Sequence, residues 1–226
     1  MSQIPFAPTG VLFDLDGTLL DSAPDLYAAL IEQCGEEGVV PPPYAPVREV
    51  VSRGSRAILR AGFIDADDDA ITALVPRYLA IYEALMSRHT KPFAGIDALL
   101  AGLDAQGIRW GIVTNKPGFL TDALLAQLDL GWKTVSVVSG DTLPVKKPDP
   151  APVLHACREG SLDPARSVFV GDDRRDVLAG NAAGLYTVAV AWGYLDGGDP
   201  HGWGADAVVD SPAALARLLG VGEVVA

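Results

Sequence analysis

The stretch VLFDLDGTLLDS (residues 11–22) places an apolar run directly before a group of closely spaced acidic side chains. The run ends at Phe13, and Asp14 and Asp16 follow it two residues apart. A short, uniformly apolar run of this kind is typical of a strand buried on both faces of a parallel sheet. Residues two apart on an extended chain project to the same face, so we expect the two carboxylates to lie side by side. Such a pair repels unless a proton or a cation compensates its charge.

More short apolar runs follow, and helix-length segments separate most of them. The predicted strands cover 10–15, 108–113, 134–138, 167–171 and 186–191, and the predicted helices cover 94–106, 118–128, 150–160 and 174–183. The Gly-rich segment 193–204 predicts a surface loop. Strands that alternate with helices favour right-handed crossovers between parallel strands. The sequence therefore predicts an α/β fold with a Rossmann-like, doubly wound parallel sheet as its core.

One long gap interrupts this alternation between residues 22 and 90, where the pattern is helical throughout. An insert of this length can form a domain of its own over the edge of the sheet. We therefore expect two domains: an α/β core formed by 1–21 and 91–226, and an inserted α-helical cap formed by 22–90.

Two patterns describe this cap in more detail. The apolar residues around Leu79, Tyr82 and Leu85 predict a core between its helices rather than a substrate-binding surface. Ser22 and Asp25 have the spacing of a capping box, which predicts the start of the first cap helix.

Composition and charge limit the classes of function. The chain has 226 residues, 49% of them hydrophobic and 20% charged, and a formal net charge of −12. This composition is ordinary for a globular protein. Nucleic-acid-binding proteins usually carry a basic face, and a membrane span needs roughly 20 apolar residues, so neither partner is expected. The N-terminal residues lack the pattern of a signal peptide. We expect a cytoplasmic protein, either monomer or homodimer.

Polar side chains follow four of the predicted strands, at the end where each strand stops. They are Asp14, Asp16 and Thr18; Thr114, Asn115 and Lys116; Lys146 and Lys147; and Asp172, Asp173 and Asp176. Open parallel sheets bind ligands at the carboxyl ends of their strands, so we expect these groups to converge on one pocket.

The chemistry of these groups predicts phosphoryl transfer assisted by Mg²⁺. Carboxylate oxygens are hard ligands that suit Mg²⁺, and they are available from Asp14, Asp16, Asp172 and Asp176. The metal and Lys147 would bind phosphate oxygens, with the Thr114 hydroxyl beside them. One carboxylate would attack phosphorus and another would transfer the proton. A bound cation and Lys147 would also provide the local positive charge that an anionic substrate needs in an acidic protein.

Four motifs, in this order, resemble those of the haloacid dehalogenase superfamily of aspartyl phosphotransferases. They are DLDGT (14–18), VTN (113–115), KKPDP (146–150) and GDDRRD (171–176). The helical insert after the first motif is similar to the type-one cap of that family. The resemblance covers nearly the whole chain.

The resemblance implies a function for each matching residue. Asp14 would be the nucleophile, and Asp16 would protonate the leaving oxygen and then activate water. The residues that would hold the phosphoryl group come from the second and third motifs: Thr114, Asn115 and Lys147. The implied Mg²⁺ ligands are Asp14, the main-chain carbonyl of Asp16, Asp172 and Asp176, the last of which would bind the metal or its waters.

The functions of three charged positions are not decided by the motifs alone. The fourth motif usually has Ser or Thr where this chain has Asp173, which could cap the following helix or bind a metal-bound water. Lys147 precedes a proline as the third motif requires, and Lys146 is the alternative. Asp21 is expected to stabilise the turn after the first motif.

Within the superfamily the chain most resembles phosphoglycolate phosphatases, which implies a small phosphorylated metabolite as the substrate. VVSRGSRAIL (50–59) and WGADAVVDSP (203–212) also resemble a sister group that hydrolyses N-acetylmuramic acid 6-phosphate. In the cap, Arg53 and Arg56 could bind a substrate carboxylate. A sugar phosphomutase and a non-catalytic sensor of a phosphometabolite are the other functions that the same motifs allow.

Overall fold

The structure is a computed structural model that describes residues 4–221. Its strands are β1 (Gly10–Phe13), β2 (Leu20–Asp21), β3 (Lys91–Pro92), β4 (Arg109–Val113), β5 (Val137–Val138), β6 (Ser167–Gly171), β7 (Tyr186–Val190) and β8 (Ala207–Val209). Its α-helices are α1 (Ala23–Glu36), α2 (Tyr44–Val50), α3 (Ser55–Gly62), α4 (Asp68–Leu85), α5 (Ile96–Ala105), α6 (Gly118–Leu128), α7 (Ala151–Glu159), α8 (Arg174–Ala183) and α9 (Pro212–Leu219). None of the helices in these residues is long and apolar enough to cross a membrane.

Six of the strands form one parallel sheet in the order β5-β4-β1-β6-β7-β8. β1 is central, and all four of its residues are buried. From β1 the chain builds the sheet outward through β4 and β5 on one side, then through β6, β7 and β8 on the other. The predicted doubly wound α/β class is confirmed. In such a sheet the ligand crevice lies where the strand order reverses, which here is at the carboxyl ends of β1, β4 and β6.

Most predicted elements agree with the structure, and the main differences concern short strands and the helix α9. β6, α6 and α8 have the predicted bounds. β1 ends at Phe13 rather than at residue 15, and β5 is limited to Val137 and Val138, which pair with β4. β8 and α9 were not predicted. A strand of three residues is too short to show a hydrophobic period that distinguishes it from a loop.

Helices α1 to α4 occupy the gap in the alternation, between β2 and β3. These two strands form an antiparallel pair, with Leu20 opposite Pro92 and Asp21 opposite Lys91. The chain therefore leaves the α/β part and returns to it at the same place. We propose that this pair connects an α/β core (1–21 and 91–226) to a helical cap (22–90).

The buried residues of the cap do not form a separate core. Tyr82 and Leu85 are buried, and Leu79 packs against the same cluster while partly exposed. That cluster continues into the sheet, where it includes Ile112 of β4 and Val188 of β7. The helices of the cap and the sheet thus share one continuous apolar interior.

The predicted capping box at the start of α1 is wrong. The side chain of Ser22 forms no cap hydrogen bond, and its Oγ donates instead to Asp16 Oδ1 at 2.5 Å. The Asp25 carboxylate accepts hydrogen bonds from the main-chain N–H groups of His89 and Thr90 and from the Thr90 hydroxyl. Ser22 therefore contacts a candidate catalytic carboxylate, and Asp25 joins the first helix of the insert to its last residues.

Candidate active site

Asp14 and Asp16 lie in the loop after β1, not on the strand itself. β1 ends at Phe13, and the main-chain N–H of Asp14 still donates to the carbonyl of Val170 in β6 at 2.9 Å. Both aspartates line one cavity at the carboxyl edge of the sheet. The expectation of a shared strand face is therefore wrong, because the loop rather than the pleat brings both residues to the same space.

Three aspartates form a buried cluster at this edge. Asp14 follows β1, Asp172 follows β6 and Asp176 lies in the first turn of α8, and their carboxylate oxygens lie within 4.8 Å of one another. Burial raises the pKa of each carboxyl group, and repulsion from neighbouring aspartates raises it further. The pKa of Asp176 is raised to about 7. Such a cluster is stabilised by a bound proton or a divalent cation.

Lys147 is the cation that faces this cluster. Its Nζ lies 2.6 Å from Asp14 Oδ1 and 2.8 Å from Asp176 Oδ1, and it donates to the carbonyl of Val113 at 2.6 Å. Burial alone would lower the pKa of Lys147, but the charges and hydrogen bonds of the two aspartates raise it above its ordinary value. Lys146, the alternative in the sequence, is exposed, although it also lines the cavity.

Thr114 and Asn115 form the part of the cavity wall that follows β4. Thr114 is buried, and its Oγ accepts the main-chain N–H of Lys116 at 3.1 Å. Asn115 Nδ2 donates to the carbonyl of Lys147 at 3.0 Å, which ties this loop to the loop that carries the lysine. Asn115 Oδ1 is buried without a hydrogen-bond partner among residues 4–221.

Asp172 is held by two loops. Its Oδ1 accepts the Thr18 hydroxyl at 2.9 Å, and its Oδ2 accepts the main-chain N–H of Tyr194 at 2.8 Å. Gly17 has a φ of +93°, and a Cβ there would lie 2.2 Å from Asp172 Oδ2, so only glycine allows this approach. Tyr194 is buried, and its hydroxyl accepts the main-chain N–H of Ser22 at 2.8 Å. The surface-loop prediction for 193–204 therefore fails at Tyr194, whose ring reaches the start of the cap.

The carboxylate of Asp16 lies apart from the three clustered carboxylates. It accepts a hydrogen bond from the Ser22 hydroxyl at 2.5 Å, and Lys116 Nζ lies 3.3 Å from both of its oxygens. Lys116 Nζ also donates to the hydroxyl of Tyr82 in α4 at 2.8 Å. The sequence predicts no function for Lys116 and predicts only a position in the cap core for Tyr82. The position of Lys116 beside the second motif was the one available signal. The contribution of the Asp16 main-chain carbonyl to a metal site stays a prediction.

Arg53 and Arg56 line the cavity from the cap side. Arg53 forms an ion pair with Asp196 in the loop after β7. Arg56 donates to the hydroxyl of Thr72 at 2.5 Å. A substrate carboxylate would have to compete with these partners, so the binding function of both arginines stays a prediction.

Comparison with known proteins assigns this chain to a family. The sequence profile of the haloacid dehalogenase-like hydrolases matches residues 11–190. The chain belongs to this family. The resemblance inferred from the four motifs is thereby confirmed.

Relatives in this family are similar over most of their length. The phosphoglycolate phosphatase of Xanthomonas campestris pv. campestris is 45% identical over 209 residues, which cover 92% of this chain and 95% of that protein. The N-acetylmuramic acid 6-phosphate phosphatase of Pseudomonas putida is 40% identical over 211 residues, with coverages of 92% and 95%. The crystal structure of a predicted phosphoglycolate phosphatase from Haemophilus somnus 129pt has a TM-score of 0.83 at 24% identity, covering 95% of this chain and 99% of that one, and it shows the shared fold.

Asp173, where this haloacid dehalogenase-like hydrolase departs from the usual fourth motif, is the N-cap of α8. Its carboxylate accepts the main-chain N–H of Arg175 at 2.8 Å, and Asp176 accepts the main-chain N–H of Asp173 at 3.1 Å. Asp173 does not belong to the carboxylate cluster. Of the two alternatives in the sequence, the structure shows the helix cap. Asp21 accepts a hydrogen bond from the Tyr194 hydroxyl at 3.1 Å, in the turn that it was expected to stabilise.

The raised pKa values predict that the metal-free protein loses stability as pH rises. Asp14, Asp172 and Asp176 bind their protons more tightly when folded than when unfolded. Their stabilisation is therefore complete below the unfolded pKa of about 4, and it is lost as pH rises through the folded pKa values. For Asp176 this stability falls between about pH 4 and its folded pKa of about 7, and the loss is nearly complete above that value.

We expect the melting temperature in EDTA to be about 5 °C lower at about pH 8 than at about pH 5.5, since about 1 kcal/mol shifts it by about 2–4 °C. Differential scanning calorimetry measures this difference. Carboxyl groups with a lowered pKa, such as Asp173, titrate below this window. Asp176→Asn is the matched variant and should reduce the dependence on pH. A wild-type melting temperature that rises between these two pH values would contradict the prediction.

Proposed function

We propose that the protein is a Mg²⁺-dependent phosphomonoesterase that acts on a small phosphorylated acid through an aspartyl-phosphate intermediate, with 2-phosphoglycolate as the first candidate substrate. Relatives that are 45% and 40% identical and named as phosphatases support phosphate monoester hydrolysis as the reaction. One observation carries the mechanism: Asp14, Asp176 and Lys147 line the same cavity as Asp16, and Asp172 completes the carboxylate cluster beside them.

The carboxylate cluster fits a hard divalent cation. Asp14, Asp172 and Asp176 offer oxygen atoms within 4.8 Å of one another, and Mg²⁺ takes oxygen ligands. Main-chain N–H groups of Tyr194 and Asp173 hold two of these carboxylates in place. Bound there, Mg²⁺ would offset the repulsion between the carboxylates and polarise the phosphoryl group.

Asp14 is the candidate nucleophile because it holds the first position of the DLDGT motif, pairs with Lys147 and lines the same cavity as Thr114 and Asn115. Lys147, Thr114 and Asn115 would bind phosphoryl oxygens, which orients phosphorus toward Asp14. Attack by a carboxylate oxygen forms the acyl-phosphate bond and breaks the bond between phosphorus and the ester oxygen. The ester oxygen then leaves with the proton that Asp16 supplies.

Asp16 is the candidate proton shuttle because it lines the same cavity outside the carboxylate cluster. After it has protonated the leaving group, its carboxylate can take a proton from water as that water attacks the aspartyl-phosphate. Phosphate then leaves and the Asp14 carboxylate is restored. The Asp16 carboxylate is contacted by Ser22 and Lys116.

The apolar side chains that line part of the cavity favour a second candidate substrate, N-acetylmuramic acid 6-phosphate. The cavity has a volume of about 290 Å³, near the lower limit for sites that hold drug-sized ligands. The cap lines it with the apolar side chains of Leu26, Val51, Ile58 and Leu79. A two-carbon acid has little apolar surface to place against this wall, whereas the acetamido and lactyl groups of the sugar acid have methyl groups that fit it.

A panel of phosphate esters tests the substrate. We expect kcat/KM for 2-phosphoglycolate or N-acetylmuramic acid 6-phosphate to exceed that for p-nitrophenyl phosphate by about 10–100-fold, because charged hydrogen bonds to the substrate carboxylate contribute about 1.5–3 kcal/mol. Release of inorganic phosphate is the readout. Equal values for both acids and a neutral alkyl phosphate would contradict a carboxylate-recognising site.

Controls in the same panel address the metal and the other functions. EDTA should abolish phosphate release and added Mg²⁺ should restore it. A sugar phosphate that is isomerised in the presence of its bisphosphate, without net release of phosphate, would indicate a phosphomutase. Stabilisation by a phosphate ester without turnover would indicate a sensor.

A further inference from the structure

Lys116 is a buried lysine that neither the carboxylate cluster nor the candidate phosphate-binding residues account for. Its side chain is 6% exposed. Its Nζ lies 3.3 Å from each carboxylate oxygen of Asp16 and donates to the hydroxyl of Tyr82 at 2.8 Å. An ammonium group has three N–H donors, and these three acceptors match that number. Within residues 4–221 the ammonium forms no other hydrogen bond.

The partners of Lys116 come from different parts of the fold. Asp16 belongs to the loop after β1, and Tyr82 belongs to α4 of the proposed cap. Lys116 itself follows β4, and its Nζ lies 4.5 Å from the centre of the Tyr82 ring. The ring of Tyr82 is fully buried, and its contact with Lys116 requires α4 to lie close to the loop after β4. The arrangement of the ammonium therefore depends on the position of the cap.

We propose that Lys116 is a positioning residue that couples closure of the cap to the orientation of Asp16. The inference rests on the proposed function, in which Asp16 transfers the proton. The hydrogen bond to Tyr82 directs one N–H group of the ammonium and thereby aims the other two at the carboxylate. Ser22, at the start of the cap, donates to Asp16 Oδ1. Movement of α4 away from the sheet would break the contact with Tyr82 and release the carboxylate from this geometry.

This coupling has a consequence that a purely structural lysine would not have. A correctly placed Asp16 matters most when the leaving oxygen is basic and must be protonated as it departs, as in an alkyl phosphate. It matters least for p-nitrophenyl phosphate, whose leaving group needs little protonation. Because kcat/KM reports the steps through the first irreversible one, it captures cleavage of the ester bond for both substrates. The ratio of the two kcat/KM values therefore separates positioning from a general loss of active protein.

The test compares Lys116→Met with the wild-type protein on 2-phosphoglycolate and p-nitrophenyl phosphate. We expect kcat/KM to fall about 100-fold for the alkyl ester and no more than about 5-fold for the aryl ester, since general acid–base catalysis contributes about 100-fold or more. Lys116→Arg, which keeps a cation, should recover part of the loss. Lys133→Met, which removes an exposed lysine, controls for the change in net charge. An equal loss for both esters, or no loss, would overturn the proposal.

Tyr82→Phe tests the link to the cap, because it keeps the ring and removes the hydroxyl. We expect a fall of about 3–10-fold for the alkyl ester, and the double variant Lys116→Met/Tyr82→Phe should fall no further than Lys116→Met alone, as for residues that act through one contact. If the fall in kcat/KM of the double variant equals the product of the falls in the two single variants, the coupling is overturned. Circular dichroism shows whether Lys116→Met is folded. If it is not, the same test is made with Tyr82→Phe and Lys116→Arg, by comparing their ratios of kcat/KM for the alkyl and aryl esters with the wild-type ratio.

The outcomes distinguish this inference from the function on which it rests. If the wild-type protein hydrolyses alkyl phosphates and the ratio is unchanged in the variants, only the coupling is overturned. If it hydrolyses another alkyl ester better than 2-phosphoglycolate, that ester replaces it in the ratio. A wild-type protein that releases phosphate from no ester overturns the proposed function and this inference together.

Discussion

Replacement of Asp14 by asparagine should lower kcat for phosphate release by at least about 1,000-fold, because an amide cannot form the acyl-phosphate bond. Asparagine has the same shape as aspartate but no charge, so the substitution removes one of the negative charges that repel one another in the buried cluster. We therefore expect the variant to fold, and to be no less stable than the wild-type protein without metal. A continuous phosphate-release assay with saturating p-nitrophenyl phosphate measures the loss.

Asp122→Asn is a matched control for this variant, since Asp122 is an exposed aspartate on α6. It should leave kcat within about 2-fold of the wild-type value, since surface substitutions away from a site have small effects. Mass spectrometry of wild-type protein quenched during turnover should show the mass of one added phosphoryl group, and Asp14→Asn should not. Activity of Asp14→Asn within about 10-fold of the wild type would refute Asp14 as the nucleophile.

Replacement of Lys147 by methionine should lower the free energy of unfolding of the metal-free protein by about 3 kcal/mol, because it removes the partner of buried carboxylates. Asp14 and Asp176 both lie within hydrogen-bond distance of Lys147 Nζ, so both would lose their cation. Uptake of a proton by the cluster limits the cost at low pH. We therefore expect the largest effect at about pH 8, where the wild-type cluster depends most on Lys147.

Urea unfolding with and without Mg²⁺ measures this effect. Added Mg²⁺ should recover part of the lost stability in Lys147→Met, since binding to the native state stabilises it. Lys146→Met is the control, because Lys146 is the adjacent lysine and is exposed. It should change the free energy of unfolding by no more than about 0.5 kcal/mol. Similar losses in the two variants would refute the assignment of Lys147 as the buried cation of the site.

Most of the polar residues predicted to converge after β1, β4 and β6 line one cavity, and Thr18 and Asp172 bond to each other beside it. This was predictable because the carboxyl ends of neighbouring parallel strands lie at one edge of a sheet, whatever the details of the side chains. The same reasoning failed for the pair Asp14 and Asp16, which was expected on a strand face. β1 ends at Phe13, two residues earlier than predicted, and the positive φ of Gly17 turns the chain toward Asp172.

Other residues gave no local signal for what they contact. Tyr194 lies in a Gly-rich segment that is typical of a surface loop, yet its ring is buried and its hydroxyl binds the start of the cap. Ser22 and Asp25 have the spacing of a capping box but contact Asp16 and Thr90. For Tyr194 and Asp25 the partner lies far along the chain, and for Ser22 it is the candidate catalytic Asp16 in the preceding loop.

The sequence by itself determined the α/β class, the parallel sheet and the helical insert, because hydrophobic period and the order of the elements depend on neighbouring residues. Only the tertiary structure decided which lysine faces Asp14, that Asp173 caps α8, and that Lys116 joins Asp16 to Tyr82. Lys116 lies 100 residues from Asp16 and 34 from Tyr82 along the chain. Contacts over such separations follow from how the cap packs on the sheet, and no pattern of neighbouring residues encodes that packing.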